Sequence, residues 1–491
     1  MTERVPRSLS VALAILVGGA SGGGALFLLV HLWRPFAQHT QHLALHRATP
    51  PALISAPADG GSAGGGAIDG RPSPKDPAGT ESAAIPDGAP AAAHQAPAAS
   101  TVRRPYNVVL ITVDTLRYDL GYTGYARPIT PNIDALAERA IVYERAYATA
   151  SYTPKSLGPM LIGRYASETF RDPEHYTTFY PANVFIAERV RAAGARTFAA
   201  MCQHYFKWDT GLSQGFDIWD TAATPRNMTD NDTSITGDRL TARALALLSD
   251  PANVDRRFFA WFHYFDPHAQ YVAHEGAPSF STRKGPPTQR TLYDQEIWFT
   301  DQQIGRVLDH IAAQPWAADT AIVVTADHGE AFGEHGHWKH GRELWESIVR
   351  VPLVVYIPGA KPRRIAIKRS QIDIAPTILD LIGAPPVEAG TLRGTSLLSD
   401  VLAPEGDALE ERDVYFDMPE GPFNEMRRGI ITGTSPGLKL IDFAGHRYEM
   451  YDLTEDPEEK KDIVTSKERF RAALTSLQRT RAHLQEIRPT R

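Results

Sequence analysis

Short hydrophobic runs alternate along the chain with stretches whose apolar residues recur at helical spacing. The runs are rich in β-branched and aromatic residues and are bounded by polar ones, which is typical of buried strands. Strands are predicted over residues 107–113, 196–201, 258–262, 321–324 and 352–356. Helices are predicted over residues 133–140, 184–193, 239–248, 292–311 and 372–382. This alternation indicates an α/β fold whose sheet is largely parallel and covered on both faces.

The pattern changes near residue 394. Short strands are predicted over residues 414–416, 429–431 and 437–441, followed by a helix over residues 467–487. Consecutive short strands without intervening helices favour an antiparallel sheet. We therefore divide the folded part into a main domain, residues 104–393, and a smaller C-terminal α+β subdomain, residues 394–491.

Residues 9–33 form an uncharged hydrophobic stretch in which His31 is the only titratable residue. As a helix, this stretch reaches across a hydrocarbon core of roughly 30 Å. It predicts a single transmembrane anchor with residues 1–8 in the cytoplasm and the folded part outside, in the periplasm or the extracellular space. The glycine-rich segment 18–24 weakens the helix and keeps a cleaved signal peptide open as the alternative.

Residues 34–103 are dominated by Ala, Pro, Gly and Ser. Such a composition buries too little apolar surface to offset the entropy of ordering, so a disordered linker is predicted. Charge is nearly balanced, with 51 basic and 57 acidic residues, and gives no footprint for nucleic acid. The single cysteine, Cys202, excludes disulfides within the chain and cysteine-based zinc sites, and its apolar context predicts a buried, inert thiol.

Polar residues with metal-binding chemistry stand at the ends of predicted strands. Asp114 follows the first strand, and Asp327 with His328 follows the strand at 321–324. Ligands gather beyond the carboxyl ends of parallel strands, and an adjacent Asp and His offer an oxygen and a nitrogen to one divalent cation. Taken alone, an Asp-His pair is more often a polar turn and a strand-end Asp is often a helix N-cap. The pattern becomes specific only with further clusters.

Thr153 and Pro154 predict a helix N-terminus, with Thr as the N-cap and Pro at the first helical position. A hydroxyl in this place feels the positive end of the helix dipole, and a bound cation would make it a nucleophile. His268 follows the strand at 258–262, and Lys339 and His340 follow the Asp-His segment. Four clusters with complementary roles indicate an active site.

As a set, these motifs resemble the sulfatase family of the alkaline phosphatase superfamily over residues 105–462. The matching segments are residues 107–117, 130–134, 153–164, 265–268, 325–336, 340–353, 372–377 and 451–457. The resemblance implies an alkaline-phosphatase-like α/β/α sandwich and a single divalent metal ion, Mn, Ca, Mg or Zn. It implies that Asp114, Thr153, Asp327 and His328 hold this metal. Thr153 would attack an anionic ester whose oxygens His268 and His340 contact.

The chain departs from sulfatases proper at the nucleophile. Their Cys-x-Pro-Ser-Arg motif, in which Cys matures to formylglycine, aligns with Thr153, and Lys155 and Leu157 replace Pro and Arg. Thr at this place resembles the phosphodiesterase, phosphonate hydrolase and lipid head-group transferase branches. In the two-metal members a second-metal Asp and His are four residues apart, whereas Asp266 and His268 are two apart, which favours one metal. Lys155 and Lys339 are predicted substrate contacts.

These observations predict a membrane-anchored, metal-dependent hydrolase that cleaves phosphate or phosphonate esters faster than sulfate esters. The substrate class could include lipids or glycans. One alternative is a transferase that moves a lipid head group to an acceptor, although such enzymes commonly carry several membrane spans. The second alternative is a non-catalytic, glycan-binding relative, against which stands the presence of every expected ligand residue.

Overall fold

A computed structural model describes residues 105–172, 177–207, 209–226, 234–280, 287–404, 406–422 and 424–489. Within these ranges no helix combines the length and apolar character needed to cross a membrane. The predicted anchor over residues 9–33 and the predicted linker over residues 34–103 lie outside the described residues.

The described residues form strands and helices in alternation along the main domain. The strands are β1 (Asn107–Val113), β2 (Ile141–Tyr147), β3 (Arg196–Met201), β4 (Ile218–Asp220), β5 (Phe258–Tyr264), β6 (Thr320–Ala326), β7 (Ala331–Phe332), β8 (Trp338–Lys339), β9 (Arg350–Val351), β10 (Leu353–Tyr356), β11 (Arg363–Ser370), β12 (Val414–Met418), β13 (Arg427–Thr432), β14 (Leu438–Phe443) and β15 (Arg447–Asp452). The helices are α1 (Pro131–Ala137), α2 (Thr153–Ile162), α3 (Ile186–Ala192), α4 (Gly237–Ser249), α5 (Pro251–Val254), α6 (Gln289–Ala312), α7 (Glu346–Val349), α8 (Ile374–Ile382), α9 (Leu398–Leu402) and α10 (Lys467–Ala482).

Nine of the described strands form one sheet in the order β11–β2–β10–β6–β1–β5–β3–β4, with β9 paired to β2. The run from β6 to β4 is parallel, and β10 is antiparallel to both of its neighbours. Every residue of β1, β5 and β6 is buried. These strands are covered on both faces, which explains their nearly continuous apolar sequences. The prediction of a largely parallel α/β sheet is confirmed.

The helices that cover the sheet form two groups. In one, α1 and α4 pack against α6, and α4 also contacts β3 and β5. In the other, α2 and α3 pack against α8, which contacts β1. The interior between these helices and the strands is a single large apolar cluster. This layering holds the strand ends, and the polar residues that follow them, in fixed positions.

The strands β2 and β11 were missed by the hydrophobic pattern because both carry charged residues. They pair with each other in parallel, and β11 forms the edge of the sheet. At this edge Arg364 Nε lies 2.8 Å from Glu144 Oε1, and both side chains are partly exposed. A strand with one solvated face does not show the apolar run that marks the central strands. The short strand β4, at the opposite edge, was missed as well.

The C-terminal residues form the predicted antiparallel sheet, in the order β12–β13–β14–β15, although the fourth strand, β15, was not predicted. Helix α10 packs on β13 and β14 and ends at Ala482, five residues before the predicted end. A separate apolar cluster joins this sheet to the main domain. In it, Trp345 and Ile348 from the segment after β8 share a core with Phe416 and Ile431. The C-terminal sheet therefore supports the segment that follows the candidate active site.

Candidate active site

Asp114 and Asp327 occupy neighbouring places because they follow two adjacent parallel strands. Val113, the last residue of β1, is paired with Ala326, the last residue of β6. The next residues are therefore side by side at the same edge of the sheet. Asp114, Asp327 and His328 each offer one ligand atom, and these atoms lie within 4.8 Å of one another. All three side chains are buried.

His328 presents one ring nitrogen to the other members of this group. Its Nδ1 lies 3.0 Å from the carbonyl oxygen of Gly329. This contact favours the tautomer in which Nδ1 carries the proton and donates it to that oxygen. In that tautomer Nε2 carries the lone pair. Nε2 is 3.5 Å from an oxygen of Asp327 and 3.9 Å from an oxygen of Asp114. Ligating histidines are commonly oriented by such a contact of the second nitrogen.

Thr153 brings its hydroxyl to the same place. Its Oγ1 lies 3.2 Å from His328 Nε2. Thr153 is the first residue of α2, with Tyr152 as the N-cap, so the prediction of Thr153 as the N-cap was wrong by one position. Pro154 was predicted at the first helical position and is the second residue of α2, still within the first turn. The hydroxyl contacts the His328 ring instead of capping its own helix.

The donor set fits a divalent cation. One carboxylate oxygen of Asp327 accepts hydrogen bonds from the backbone amides of Thr115 and His328, at 3.1 and 2.8 Å. Its other oxygen, Oδ2, is buried and accepts no hydrogen bond from the described residues. A buried carboxylate oxygen without a donor is costly unless a cation balances it. Two carboxylates, one imidazole and one hydroxyl form a mixed oxygen and nitrogen set suited to a hard or borderline metal ion.

His268 and His340 lie beside this group. The ring centroids of His340 and His328 are 4.4 Å apart, and those of His268 and His340 are 5.0 Å apart. Burial lowers the pKa of His268 to about 4, and the nearby His340 adds to the shift. His268 Nδ1 is 2.9 Å from the carbonyl oxygen of Ala269. The structure thus brings together all six residues that the sequence placed in the catalytic and metal site.

Glu330 and Tyr271 were not identified from the sequence, although both support His340. His340 Nδ1 is 3.0 Å from one oxygen of the Glu330 carboxylate, and the Tyr271 hydroxyl donates to the other oxygen at 2.6 Å. Glu330 is completely buried. Burial raises the pKa of Glu330 to about 6. Glu330 could have been identified from the sequence, because it lies two residues after His328. Tyr271 could not, because it lies in a loop whose sequence shows no motif.

His263 was also missed, since it lies inside the apolar strand β5. Its Nδ1 is 2.8 Å from the hydroxyl of Thr112, and its Nε2 is 3.8 Å from an oxygen of Asp114. Burial lowers the pKa of His263 to about 4, so the ring is neutral near pH 7. A neutral imidazole beside Asp114 leaves the charge of that carboxylate available to a cation.

The two predicted substrate lysines have different surroundings. Lys155 is buried, and its Nζ donates to the carbonyl oxygen of Pro419 at 2.7 Å and to Asn424 Oδ1 at 2.6 Å. It therefore joins α2 to the loop between β12 and β13. Lys339 is exposed and has a left-handed backbone, with φ of 67°. The positive charge of Lys339 lowers the pKa of Glu330, whose carboxylate contacts His340.

Cys202 is completely buried, and its Sγ lies 3.4 Å from the carbonyl oxygen of His263. Burial raises the pKa of this thiol far above its usual range. The predicted buried thiol is confirmed. Asp266, next to His268 in the third cluster, receives hydrogen bonds from the amide and hydroxyl of Thr236 and lies at the start of α4. Asp266 is thus a buried carboxyl group that holds Thr236, the N-cap residue of α4.

Comparison with protein families gives two matches. The family model described as Sulfatase matches residues 106–384, and the model described as N-sulphoglucosamine sulphohydrolase, C-terminal, matches residues 333–486. The uncharacterized sulfatase YidJ of Escherichia coli K12 is 22% identical over 436 residues, which cover 74% of this chain and 84% of YidJ. An N-acetylglucosamine-6-O-sulfatase of Bacteroides thetaiotaomicron is 32% identical over 181 residues, 35% of this chain and 31% of that enzyme.

Solved structures share the fold. A protein in complex with its substrate D-glucosamine-2-N,6-O-disulfate superposes with a TM-score of 0.63 and 20% identity, over 78% of this chain and 98% of that one. The phosphonate monoester hydrolase of Agrobacterium radiobacter superposes with a TM-score of 0.61 and 20% identity, over 77% and 95% of the two chains.

Proposed function

The chain belongs to the sulfatase family of ester hydrolases, and we propose that it cleaves phosphate or phosphonate esters with Thr153 as the nucleophile. The observation that carries this proposal is the contact of 3.2 Å between Thr153 Oγ1 and His328 Nε2, inside the Asp and His group. No cysteine can take this place, because the only one in the chain, Cys202, is buried directly after β3. A formylglycine made from cysteine is therefore excluded at the nucleophile position.

In this proposal each residue of the site has one role in the reaction. Asp114, Asp327 and His328 would hold one divalent cation, which when bound supplies positive charge beside the Thr153 hydroxyl and the ester. The Thr153 hydroxyl gives its proton to solvent, Thr153 Oγ1 forms a bond to phosphorus, and the bond from phosphorus to the leaving oxygen breaks as that oxygen takes a proton from solvent. Water then attacks phosphorus and gives a proton to solvent, and the bond from phosphorus to Thr153 Oγ1 breaks as Oγ1 regains a proton, which releases the phosphate or phosphonate product. His268 and His340 contact the non-bridging oxygens or the leaving oxygen.

The choice of phosphorus over sulfur follows from the second step. A formylglycine diol that has been sulfated expels sulfate by collapse of its hemiacetal, without attack at sulfur. A sulfate or phosphate ester of threonine cannot collapse in this way, so water must attack the sulfur or phosphorus atom itself. Phosphoryl adducts suit that attack in a site that stabilises charge on the group. We expect a sulfate ester to leave a dead-end sulfo-Thr153.

The test is a matched set of 4-nitrophenyl esters: a phosphate monoester, a phosphate diester, a phosphonate monoester and a sulfate. Each is assayed with full-length protein after addition of Mn²⁺, Ca²⁺, Mg²⁺ or Zn²⁺. Turnover of a phosphorus ester should exceed that of the sulfate by a wide margin, and acid quenching should trap a phosphorus adduct on the Thr153 peptide. Many turnovers of the aryl sulfate, faster than the matching diester, would refute the proposal. Ser156→Ala is the control. It removes the neighbouring hydroxyl, which donates a hydrogen bond to the carbonyl oxygen of Asp327 and is therefore not the proposed nucleophile.

We also propose that residues 9–33 remain attached and anchor the enzyme with its catalytic part outside the cytoplasm. The support is the length of this uncharged stretch and the Ala, Pro and Gly composition of residues 34–103. Full-length protein should sediment with membranes and begin at or near Met1. A mature N-terminus after Ala20 or Ala25, together with enzyme in the soluble fraction, would show a cleaved signal peptide instead.

A further inference from the structure

The imidazole of His263 is completely buried, although it belongs to an otherwise apolar and aromatic part of β5. The ring meets Phe206 edge to face, with ring centroids 5.0 Å apart, and the Trp261 ring with centroids 6.2 Å apart. Its Nδ1 is 2.8 Å from the Thr112 hydroxyl, whereas its Nε2 has no hydrogen-bond partner among the described residues. A buried polar atom without a partner costs free energy and requires an explanation.

The Thr112 hydroxyl determines which nitrogen of His263 carries the proton. The indole nitrogen of Trp261 can only donate, and it lies 2.8 Å from Thr112 Oγ1. Thr112 Oγ1 therefore accepts from the indole, and its own proton needs an acceptor. In the part of the chain that the structure describes, that acceptor is His263 Nδ1. Because Nδ1 accepts, the proton of the neutral ring is on Nε2.

The Nε2–H group of His263 lies close to one oxygen of Asp114. Nε2 is 3.8 Å from Asp114 Oδ2, and the other oxygen, Oδ1, is 3.9 Å from His328 Nε2. One oxygen of this carboxylate thus lies near the Asp and His group, and the other lies near His263. A separation of 3.8 Å is too long for a hydrogen bond, but a movement of about 1 Å would form one.

We infer that His263 is a positioning residue of the metal site, whose Nε2–H donates to Asp114 Oδ2 when a cation occupies the Asp and His group. The inference rests on the proposed function, because it assumes that cation. A hydrogen bond to one oxygen of a carboxylate holds the other oxygen in a fixed orientation for the metal. Such partners of metal ligands commonly contribute about tenfold to hundredfold in metal affinity. Trp261 and Thr112 act one step further away, by fixing the tautomer of His263.

The first measurement locates the proton in the metal-free protein. Full-length protein with isotope-labelled histidine is treated with EDTA and studied by nitrogen NMR, and the His263 signals are assigned by their loss in His263→Gln. The proton should be bonded to Nε2. Thr112→Val removes the hydroxyl and should shift the Nδ1 resonance, and Thr112→Ser should restore it. A wild-type proton on Nδ1 would overturn the inference.

The second measurement is the affinity for Mn²⁺ alone, determined by calorimetry on full-length protein without an ester. His263→Leu should weaken binding by about tenfold or more, because it removes the donor and keeps an apolar side chain in the buried place. His263→Gln should stay within about threefold of the wild type, since its amide nitrogen can donate from a position near that of Nε2. Should His263→Leu not fold, Thr112→Val and Thr112→Ser replace it. The Val variant alone should bind Mn²⁺ more weakly, by about threefold, and equal affinities of the two would refute the inference.

His274→Leu is the matched control for the loss of a buried histidine. His274 stacks on Phe299 with ring centroids 4.3 Å apart, and its Nε2 lies 2.7 Å from a carboxylate oxygen of Glu296. This variant should leave the affinity for Mn²⁺ unchanged. If His263→Leu binds Mn²⁺ as tightly as the wild type, the positioning role is refuted while the metal site stands. If the wild type itself does not bind Mn²⁺, the metal site of the proposed function fails, and the positioning role fails with it.

Discussion

Asp266 should make the protein less stable as the pH rises from about 4 to about 7. The carboxyl is buried in the described fold, and one oxygen, Oδ1, takes both hydrogen bonds from Thr236. Its other oxygen, Oδ2, finds no partner among the described residues. Burial, followed by repulsion from Glu296, raises the pKa of Asp266 from 3.8 to about 7. The folded protein therefore holds a proton in a range where the unfolded chain has released it.

The sign and size of the change in the free energy of unfolding with pH follow from proton linkage. Below pH 4 the carboxyl is neutral in both states, and its contribution to stability is fully present. Between pH 4 and pH 7 the unfolded chain binds fewer protons than the folded protein, so the free energy of unfolding falls as pH rises. From pH 5 to pH 8 the loss amounts to roughly 2–3 kcal/mol at 1.36 kcal/mol for each pKa unit.

Asp266→Asn should remove this loss, because the amide keeps an oxygen for Thr236 and cannot ionise. Urea unfolding of wild type and variant at pH 5 and pH 8, with EDTA present to exclude metal linkage, gives the four free energies required. The variant should gain stability over the wild type at pH 8 relative to pH 5. Asp238→Asn, at an exposed position in the first turn of α4, is the control and should show no pH-dependent difference. An Asp266→Asn effect that is the same at both pH values would refute the reasoning.

Three further experiments distinguish effects on catalysis and metal binding from effects on protein stability. Thr153→Ala should abolish turnover by many orders of magnitude with little change in the unfolding midpoint, as judged by single-turnover kinetics and calorimetry; activity within tenfold of wild type would assign attack to another group. Added Mn²⁺ should raise the thermal midpoint of the wild type but not of His328→Ala, and an equal rise in both would contradict the metal assignment. Lys155→Met should lower the free energy of unfolding by about 1–3 kcal/mol, because Asn424 loses a buried donor; an unchanged urea midpoint would show that this contact contributes nothing.

The sequence by itself determined the central sheet and most of the residues that meet at the candidate site. The strands β1, β5 and β6 are buried on both faces, which is why their sequences are nearly continuous apolar runs. Asp114 and Asp327 stand directly after such strands, so parallel neighbours were enough to predict that they meet. The identity of Thr153 in the position of a sulfatase cysteine was likewise readable without coordinates.

The tertiary structure alone decided which side chains surround these residues. Strands β2 and β11 are partly exposed to solvent and contain charged residues, so the hydrophobic pattern did not predict them. Lys155 is two residues from Thr153 in sequence, yet its ammonium is taken up by a loop more than 260 residues away, so its surroundings depend on long-range packing. Tyr271 and Glu330, which are in contact, are 59 residues apart in sequence. Spacing along the chain reports which face of a strand or helix a residue occupies, but only the packing of distant segments fixes what that face meets.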